Sequence, residues 1–467
     1  MLYAPGHQLA TLDADRLAVH VHPLGHDMQV PLAVEVQAGD GQAALLSVLF
    51  LVTDQVDDRI DQMADLVVDV VAEHAQADAQ LRRGETRPGC VEHRVGEVLD
   101  QPAQFLVVAG HRVRGRTQYR VTEEPDRGHA HVYECKDAVV LVLSRAEVAR
   151  LLDLDALIDA LADAMADLSA GRASVPDRIG AVVPECDGRL LAMPGYVPSQ
   201  QALVTKLVSL FPNNSGTGLP THQALILVFD PRTGSPAALL DGTEITAVRT
   251  GACSALSARL LARPAASVLA VLGTGVQARS HARAVPRVRQ ITEIRVAGRD
   301  PDKAAALAEE LTRELGIAAH AVGSYEEAMH GADIVCATTH SVEPIVHREW
   351  LGPGTHVTSV GYNPAGREVD NETVAASLVC VESRRAALAP VPSGSRDLAD
   401  PIRDGIIDES HIHAELGEIV AGTKPGRSSA EQLTLYKSVG VAVQDATAAT
   451  LVLAAARRAG VGRELYV

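Results

Sequence analysis

Ser267-Val-Leu-Ala-Val-Leu-Gly-Thr-Gly-Val-Gln-Ala278 is a short apolar run that enters a Gly-x-Gly-x-x-Ala turn. In such a turn Gly273 permits the sharp bend, Gly275 lets the backbone approach a pyrophosphate, and Ala278 lets the next helix pack closely on the strand. The backbone of Val276 and Gln277 then lines a helix N-terminus, where orphan N–H groups and the helix dipole favour an anion. A strand before the turn, a helix after it and a second strand at Glu293-Ile-Arg-Val-Ala297 set the pattern apart from a chance glycine turn. The chemistry implied is the binding of a dinucleotide.

Lys206 is a second centre of chemistry, because it stands among Leu203, Val204, Leu207 and Val208 in a predicted strand. Burial disfavours an ammonium ion and lowers its pKa, which suits a group that gives and takes a proton. A lysine that snorkels from a sheet edge is the plain alternative. Arg249 falls in the first turn of a helix predicted over 246–261, where a cation opposes the dipole and makes better sense beside an anion. Arg299 ends the second strand of the dinucleotide unit, in Val296-Ala-Gly-Arg-Asp-Pro-Asp302. An acid there reads the ribose hydroxyls of NAD and an arginine the 2′-phosphate of NADP. Arg299 favours NADP, and Asp300 keeps NAD open.

Four segments upstream carry a family pattern: Lys206-Leu-Val-Ser-Leu-Phe-Pro-Asn-Asn, Gly218-Leu-Pro-Thr-His-Gln-Ala, Phe229-Asp-Pro-Arg-Thr-Gly-Ser-Pro and Leu240-Asp-Gly-Thr-Glu-Ile-Thr-Ala-Val-Arg-Thr-Gly251. Together, and in matching order from about Leu141 to the C-terminus, they closely resemble the ornithine cyclodeaminase and mu-crystallin family. The resemblance implies an NAD(P)-dependent oxidoreductase acting on a small amino acid or its imine. It implies that Arg178 and Lys206 hold the substrate carboxylate, with Lys206 also at the reacting centre. Thr221 and Arg249 would touch the cofactor, and Thr338 would lie near the nicotinamide ribose. In Tyr436-Lys-Ser-Val-Gly440, Ser438 would face cofactor and Val439 substrate.

The informative departure is Gly361-Tyr-Asn-Pro-Ala-Gly-Arg-Glu-Val-Asp370. Ornithine-cyclising members of the family place a catalytic aspartate where this chain has Asn363. A carboxamide takes no proton near neutrality and holds no ammonium by charge; Asn363 is also suited to stabilising a turn with Pro364. The family's lysine has become Arg367, which is still able to meet a phosphate. The main reading is therefore hydride transfer between a nicotinamide and a small amino acid or imine, as in a ketimine reductase or amino-acid dehydrogenase. Ornithine cyclodeaminase, and a non-catalytic mu-crystallin-like protein that binds NADP or a ligand, are the alternatives.

Positioning these residues takes an α/β fold: a Rossmann-type, doubly wound parallel sheet over 263–428 plus a discontinuous α+β substrate-binding and dimerisation domain over 141–262 and 429–467. Helices are predicted over 145–151, capped by Ser144 and Glu147, and over 153–169 with Leu154, Leu157, Ile158, Leu161 and Met165 on one face. Strands follow over 179–184, 189–193, 203–210, 223–229 and 237–241, and a long helix is expected over 429–460. The half-apolar strands between 179 and 241 need a partner surface, which predicts a homodimer.

The chain has 467 residues, 47% of them apolar, and a net charge of −17. That charge, with no basic cluster interleaved with aromatics, argues against a nucleic-acid partner. No apolar run reaches membrane-spanning length and no signal peptide is evident, so a cytoplasmic location is expected. Six scattered cysteines without a Cys-x-x-Cys pair suit reduced thiols, not a metal or disulfide framework. Residues 1–140 are different text: nine of eighteen histidines, and twelve basic against twenty-two acidic side chains. His20, His22, His129 and His131 lack a recurring carboxylate or cysteine at ligand spacing, so no metal site is expected. This extension reads as disordered or as a mis-assigned start upstream of the family-like region, with a small extra domain as the alternative.

Overall fold

Ser144 opens the first helix as predicted. In this computed structural model, which describes residues 138–467 together with 18–22, 33–37, 43–44, 107–113, 116–122 and 131–136, the Ser144 N–H and hydroxyl both donate to Glu147 Oε2, at 2.8 and 2.6 Å. That contact is the reach-back arm of a capping box. Strand β1 (Val139–Leu143) precedes helix α1 (Arg145–Leu151), and helix α2 (Leu154–Ser169) follows, its Asp153 cap accepting from the Ala156 N–H at 2.7 Å. Leu157, Ile158, Leu161 and Met165 are buried along one face of α2, as their spacing requires.

Strands β2 (Ile179–Val183), β3 (Gly188–Val197), β4 (Ala202–Leu210), β5 (His222–Phe229) and β6 (Pro236–Asp241) come next, then helix α3 (Gly242–Leu261). The chain then alternates through β7 (Val268–Leu272), α4 (Val276–Ala284), β8 (Glu293–Ala297), α5 (Pro301–Leu315), β9 (Ala318–Ala321), α6 (Tyr325–Met329), β10 (Ile334–Ala337) and β11 (His356–Ser359). It continues as α7 (Asn371–Ala376), β12 (Ser377–Val381), α8 (Arg384–Ala387), α9 (Arg396–Arg403), β13 (Ile412–Glu415), α10 (Leu416–Val420) and β14 (Leu433–Lys437). Helix α11 (Ala442–Ala459) and strand β15 (Arg463–Tyr466) close it.

Two sheets result. The first has seven strands in the order β15-β1-β6-β5-β4-β3-β2, antiparallel except where β6 runs parallel to β1. The second has eight strands in the order β9-β8-β7-β10-β11-β14-β12-β13, all parallel. Its central strands are apolar almost throughout because both faces are covered. Helix α3 joins the halves, touching α2 and α11 on the side of the mixed sheet and α4 and β11 on the other. It can be buried nearly all round because Gly251, Ala252, Ser254, Ala255 and Ala258 are small.

Two expectations need correction. Helix α3 begins at Gly242, where Asp241 caps it by accepting from the Glu244 N–H at 2.7 Å. Arg249 is thus about two turns inside, and the argument from the helix dipole does not apply to it. Nor is 429–460 one helix: Leu433–Lys437 is a fully buried strand between β11 and β12, and the helix starts only at Ala442. The parallel sheet therefore draws on chain beyond residue 428.

Residues 1–137 form a separate unit. In it Ala18–His22, Ala33–Gln37 and Ala43–Ala44 pair as one antiparallel sheet, and Val107–Val113, Arg116–Thr122 and His131–Lys136 as another. The sequence shows no strand period there. His129 and the side chains of His20, His22 and His131 lie outside the described residues.

Candidate active site

Lys206 occupies the middle of β4, opposite Met193 of β3 and Ile226 of β5, on the sheet face that α11 covers. It is 2% exposed, and its Nζ lies 2.8 Å from Oδ2 of the fully buried Asp445 in the first turn of α11. Arg249 reaches the same carboxylate from α3, Nε to Oδ1 at 3.2 Å, and donates through Nη1 to Gln444 Oε1 at 2.5 Å. Burial pushes the Lys206 ammonium down to about 8; Asp445 resists this, and the charges of Arg249 and Arg178 add to it. Burial alone would raise the Asp445 carboxyl, but Lys206 and Arg249 outweigh burial and hold it below the ordinary range. The result is a buried lysine whose proton is available near neutrality.

Arg178, just before β2, donates to the Gly440 carbonyl at 3.1 Å, while burial and then the charge of Arg249 lower its pKa. Gly440 belongs to the turn after β14 that carries Ser438 and Val439. The predicted site residues Lys206, Arg178, Arg249, Ser438 and Val439 thus meet around one stretch of chain, 438–445. Glu382 holds that turn from the end of β12, accepting from the Ser438 hydroxyl and from the N–H groups of Val439 and Gly440.

The dinucleotide turn forms as predicted. Gly273 has φ of +115°, and a Cβ there would lie 2.9 Å from Thr338 Oγ1, so the two predicted residues are in contact. Gly275 caps α4 without a side chain and a Cβ on it would meet nothing within 4 Å. Val276 is exposed at the first position of α4, and Gln277 carries a buried Oε1 with no partner. An open backbone approach beside uncapped N–H groups fits a pyrophosphate. At the end of β8 Arg299 is exposed and makes no ion pair among the described residues. Asp300 is spent as the cap of α5, accepting from the Lys303 N–H at 3.1 Å and pairing with its ammonium at 3.2 Å.

Other predicted residues stand differently. Asn363 uses both ends of its amide locally, Oδ1 accepting from the Ala365 N–H at 2.9 Å and Nδ2 donating to the His340 carbonyl at 3.0 Å. Of its two readings, the structure gives it the turn. Arg367 donates to Oδ1 of Asn371, the first residue of α7, at 2.5 Å. Thr221 is exposed, and its carbonyl accepts from the Phe211 N–H at 2.9 Å.

Sequence reasoning missed four groups. Asp445 and Glu382 are buried acids in apolar text; the only signal for Asp445 is that a buried cation needs a partner, and Glu382, which meets a hydroxyl and N–H groups instead, has none. Glu368 is the third, accepting from the Thr339 N–H and hydroxyl, the Ser359 hydroxyl and the Gly361 N–H at 2.6 to 2.8 Å, so it braces the Asn363 loop. His222 is the fourth. It shares the face of Lys206, four residues along β5 from Ile226, and burial, with the charges of Lys206 and Arg249, lowers it to about 4. No group of three or more metal-ligating side chains occurs among the described residues, and no helix there is long and apolar enough to cross a membrane.

Known proteins share this arrangement of chain. The sequence model of the ornithine cyclodeaminase/mu-crystallin family matches residues 138–459. A delta(1)-pyrroline-2-carboxylate reductase of Bacillus cereus is 36% identical over 328 residues, 70% of this chain and 99% of that one. The structure of the Thermococcus litoralis delta(1)-pyrroline-2-carboxylate reductase in complex with NADH and L-proline is 42% identical, with a TM-score of 0.67 over 70% of this chain and all of that one. An archaeal alanine dehydrogenase dimer with bound NAD is 31% identical, with a TM-score of 0.65 over 70% and 99% of the two chains.

Proposed function

This chain belongs to the ornithine cyclodeaminase/mu-crystallin family, and from that premise we propose that it reduces a small cyclic or linear imine bearing one carboxylate. It is an NAD(P)-dependent oxidoreductase. The observation that carries the finer reading is the Lys206–Asp445 pair with Arg178 held on the same stretch. A reduced nicotinamide, when bound at Gly273, Gly275, Val276, Gln277 and Thr338, supplies a hydride. Arg178 offers a planar fork for a carboxylate. Arg249 does not compete for it, being engaged by Asp445 and Gln444, so the site suits a monocarboxylate. Lys206, protonated below about pH 8, holds the second carboxylate oxygen, and Lys206 or a bound water gives a proton to the reacting nitrogen.

Among the described residues, neither Asn363 nor its neighbour Glu368 is left to act as an acid that handles a side-chain amine: the Asn363 amide is tied into the turn, and Glu368 is consumed by four donors. Given ornithine and catalytic NAD, the enzyme is expected to release negligible ammonia and proline, while a panel of cyclic and linear imines gives measurable oxidation of reduced cofactor. Robust release of both products overturns this reading in favour of cyclodeaminase. Binding without any turnover across the panel favours the mu-crystallin-like ligand-binding alternative.

Cofactor preference falls to Arg299, free for a 2′-phosphate while Asp300 caps α5, which supports NADPH over NADH. Two solved relatives hold NADH and NAD, so the ratio of kcat/KM for the two cofactors decides. A homodimer belongs to the same proposal. The mixed-sheet face opposite α11 carries Leu190 and Leu225, each 48% exposed, and β2 adds Ile179 and Val183; apolar surface of this kind calls for a partner. Free, buried Cys253, Cys336 and Cys380 accord with a reducing, cytoplasmic setting.

A further inference from the structure

We propose that Glu382, which no contact places on substrate or cofactor, is a positioning residue that sets the affinity of the site for the substrate carboxylate through the turn 438–440. This rests on the carboxylate-holding role given to Arg178 above. Glu382 is fully buried at the end of β12, and no cation pairs with it among the described residues. Its carboxylate is saturated by one turn of chain instead. Oε1 accepts from the Ser438 hydroxyl at 2.5 Å and the Gly440 N–H at 3.0 Å, and Oε2 from the Val439 N–H at 3.1 Å.

Hydrogen bonds to a buried charge are strong and directional, so three of them fix the peptide planes of the turn. That matters because Gly440 does two things at once. Its carbonyl accepts from Arg178, and its α-carbon lies against Arg249, where a Cβ would come within 3.0 Å of Nη2. The φ of +77° makes that approach possible for glycine. Two residues after the turn α11 begins, and it delivers Gln444 and Asp445 to Arg249 and Lys206. Glu382, projecting from the parallel sheet, is therefore the tie that keeps the Arg178 guanidinium oriented beside the other sheet.

Glu382→Gln tests this with little change of shape. Its amide oxygen can keep Ser438 and Gly440, but its NH2 group faces the Val439 N–H, donor against donor. The expected result is a rise of about tenfold in KM for the imine with kcat within about twofold. NAD(P)H affinity by fluorescence should hold, and the 436–445 amides should exchange faster. In an Arg178→Ala background the same substitution is expected to add nothing further to KM, because its effect travels through that side chain. Glu382→Asp, which keeps the charge but withdraws it from the turn, is expected to give the same split and serves if the glutamine variant does not fold. An unchanged KM, or an equal KM rise in the Arg178→Ala background, overturns the proposal. If the unmodified enzyme reduces no imine, the fault lies with the proposed function, and the exchange of the 436–445 amides still reports whether Glu382 holds the turn.

Discussion

At the scale of single residues the site depends on one carboxylate serving two cations. Asp445 is fully buried between Lys206 and Arg249, so removing its charge strands both. Breaking a buried pair in this way costs about 3 to 5 kcal/mol, and Asp445→Asn is expected to lower the unfolding free energy by that order in a denaturant titration. The same substitution bears on rate. In the unmodified enzyme kcat/KM for imine reduction should fall as pH rises through about 8, where Lys206 loses its proton. Because Asp445 is what opposes the lowering of Lys206, the asparagine variant should show that limb at lower pH. Lys206→Met should lose about 10²- to 10⁴-fold in kcat/KM, the usual worth of a positioned acid, with cofactor affinity little changed. Lys206 is legible in the sequence because a lysine amid apolar alternation is conspicuous. Asp445 is not, since a single acid within text that predicts one long helix over 429–460 is ordinary and its partners lie far away in the chain.

At the scale of elements, two buried histidines knit the helix between the sheets to its neighbours. His281 of α4 donates from Nδ1 to the Gln277 carbonyl at 2.7 Å, which leaves Nε2 to accept from the Ser254 hydroxyl of α3 at 2.8 Å. His356 of β11 bonds to Thr434 of β14 and Ser257 of α3 at 2.8 and 3.1 Å. Burial holds both neutral, at about 4 and about 3. The unfolded chain therefore binds protons from about pH 6.5 downwards that the folded chain refuses, and stability falls as pH drops through that window. At 1.36 kcal/mol per unit each histidine contributes about 3 kcal/mol or more to this loss. The melting temperature should decline from about pH 6.5 to about 4, and His356→Gln should flatten the slope. At the turn between β8 and α5, Arg299→Asp is expected to shift the kcat/KM ratio toward NADH; a flat ratio means the ribose end is read elsewhere. Elements with alternating or continuous apolar text, β4 and β7 among them, are legible to within a residue or two. Strand β14 is hidden in text that predicts helix, because a five-residue run buried on both faces has no period of its own and sits beside real helix.

At the scale of the whole molecule, the unit over 138–467 coincides with the family match that ends at 459 and lacks nothing of the site described. A chain beginning at Ala138 should fold, reduce the same imines and scatter light as a dimer; insoluble or inactive protein would assign residues 1–137 a necessary role. What composition conceals is how the ends of this unit close on each other. Ala138 and Val467 exchange both backbone hydrogen bonds at 3.0 Å, and β15 pairs with β1. Synthesis is one-directional, so at about 5 to 20 residues per second the ribosome finishes Lys206 roughly 10 to 50 s before Asp445 exists to receive it. For that interval the β4 face has neither its counterion nor its covering helix, and desolvating it would cost more than leaving it wet. A nascent chain that has already emerged with its whole dinucleotide turn still lacks β14, which lies between β11 and β12 in the parallel sheet, as well as Asp445. The last few dozen codons therefore complete the dinucleotide sheet and the lysine site together.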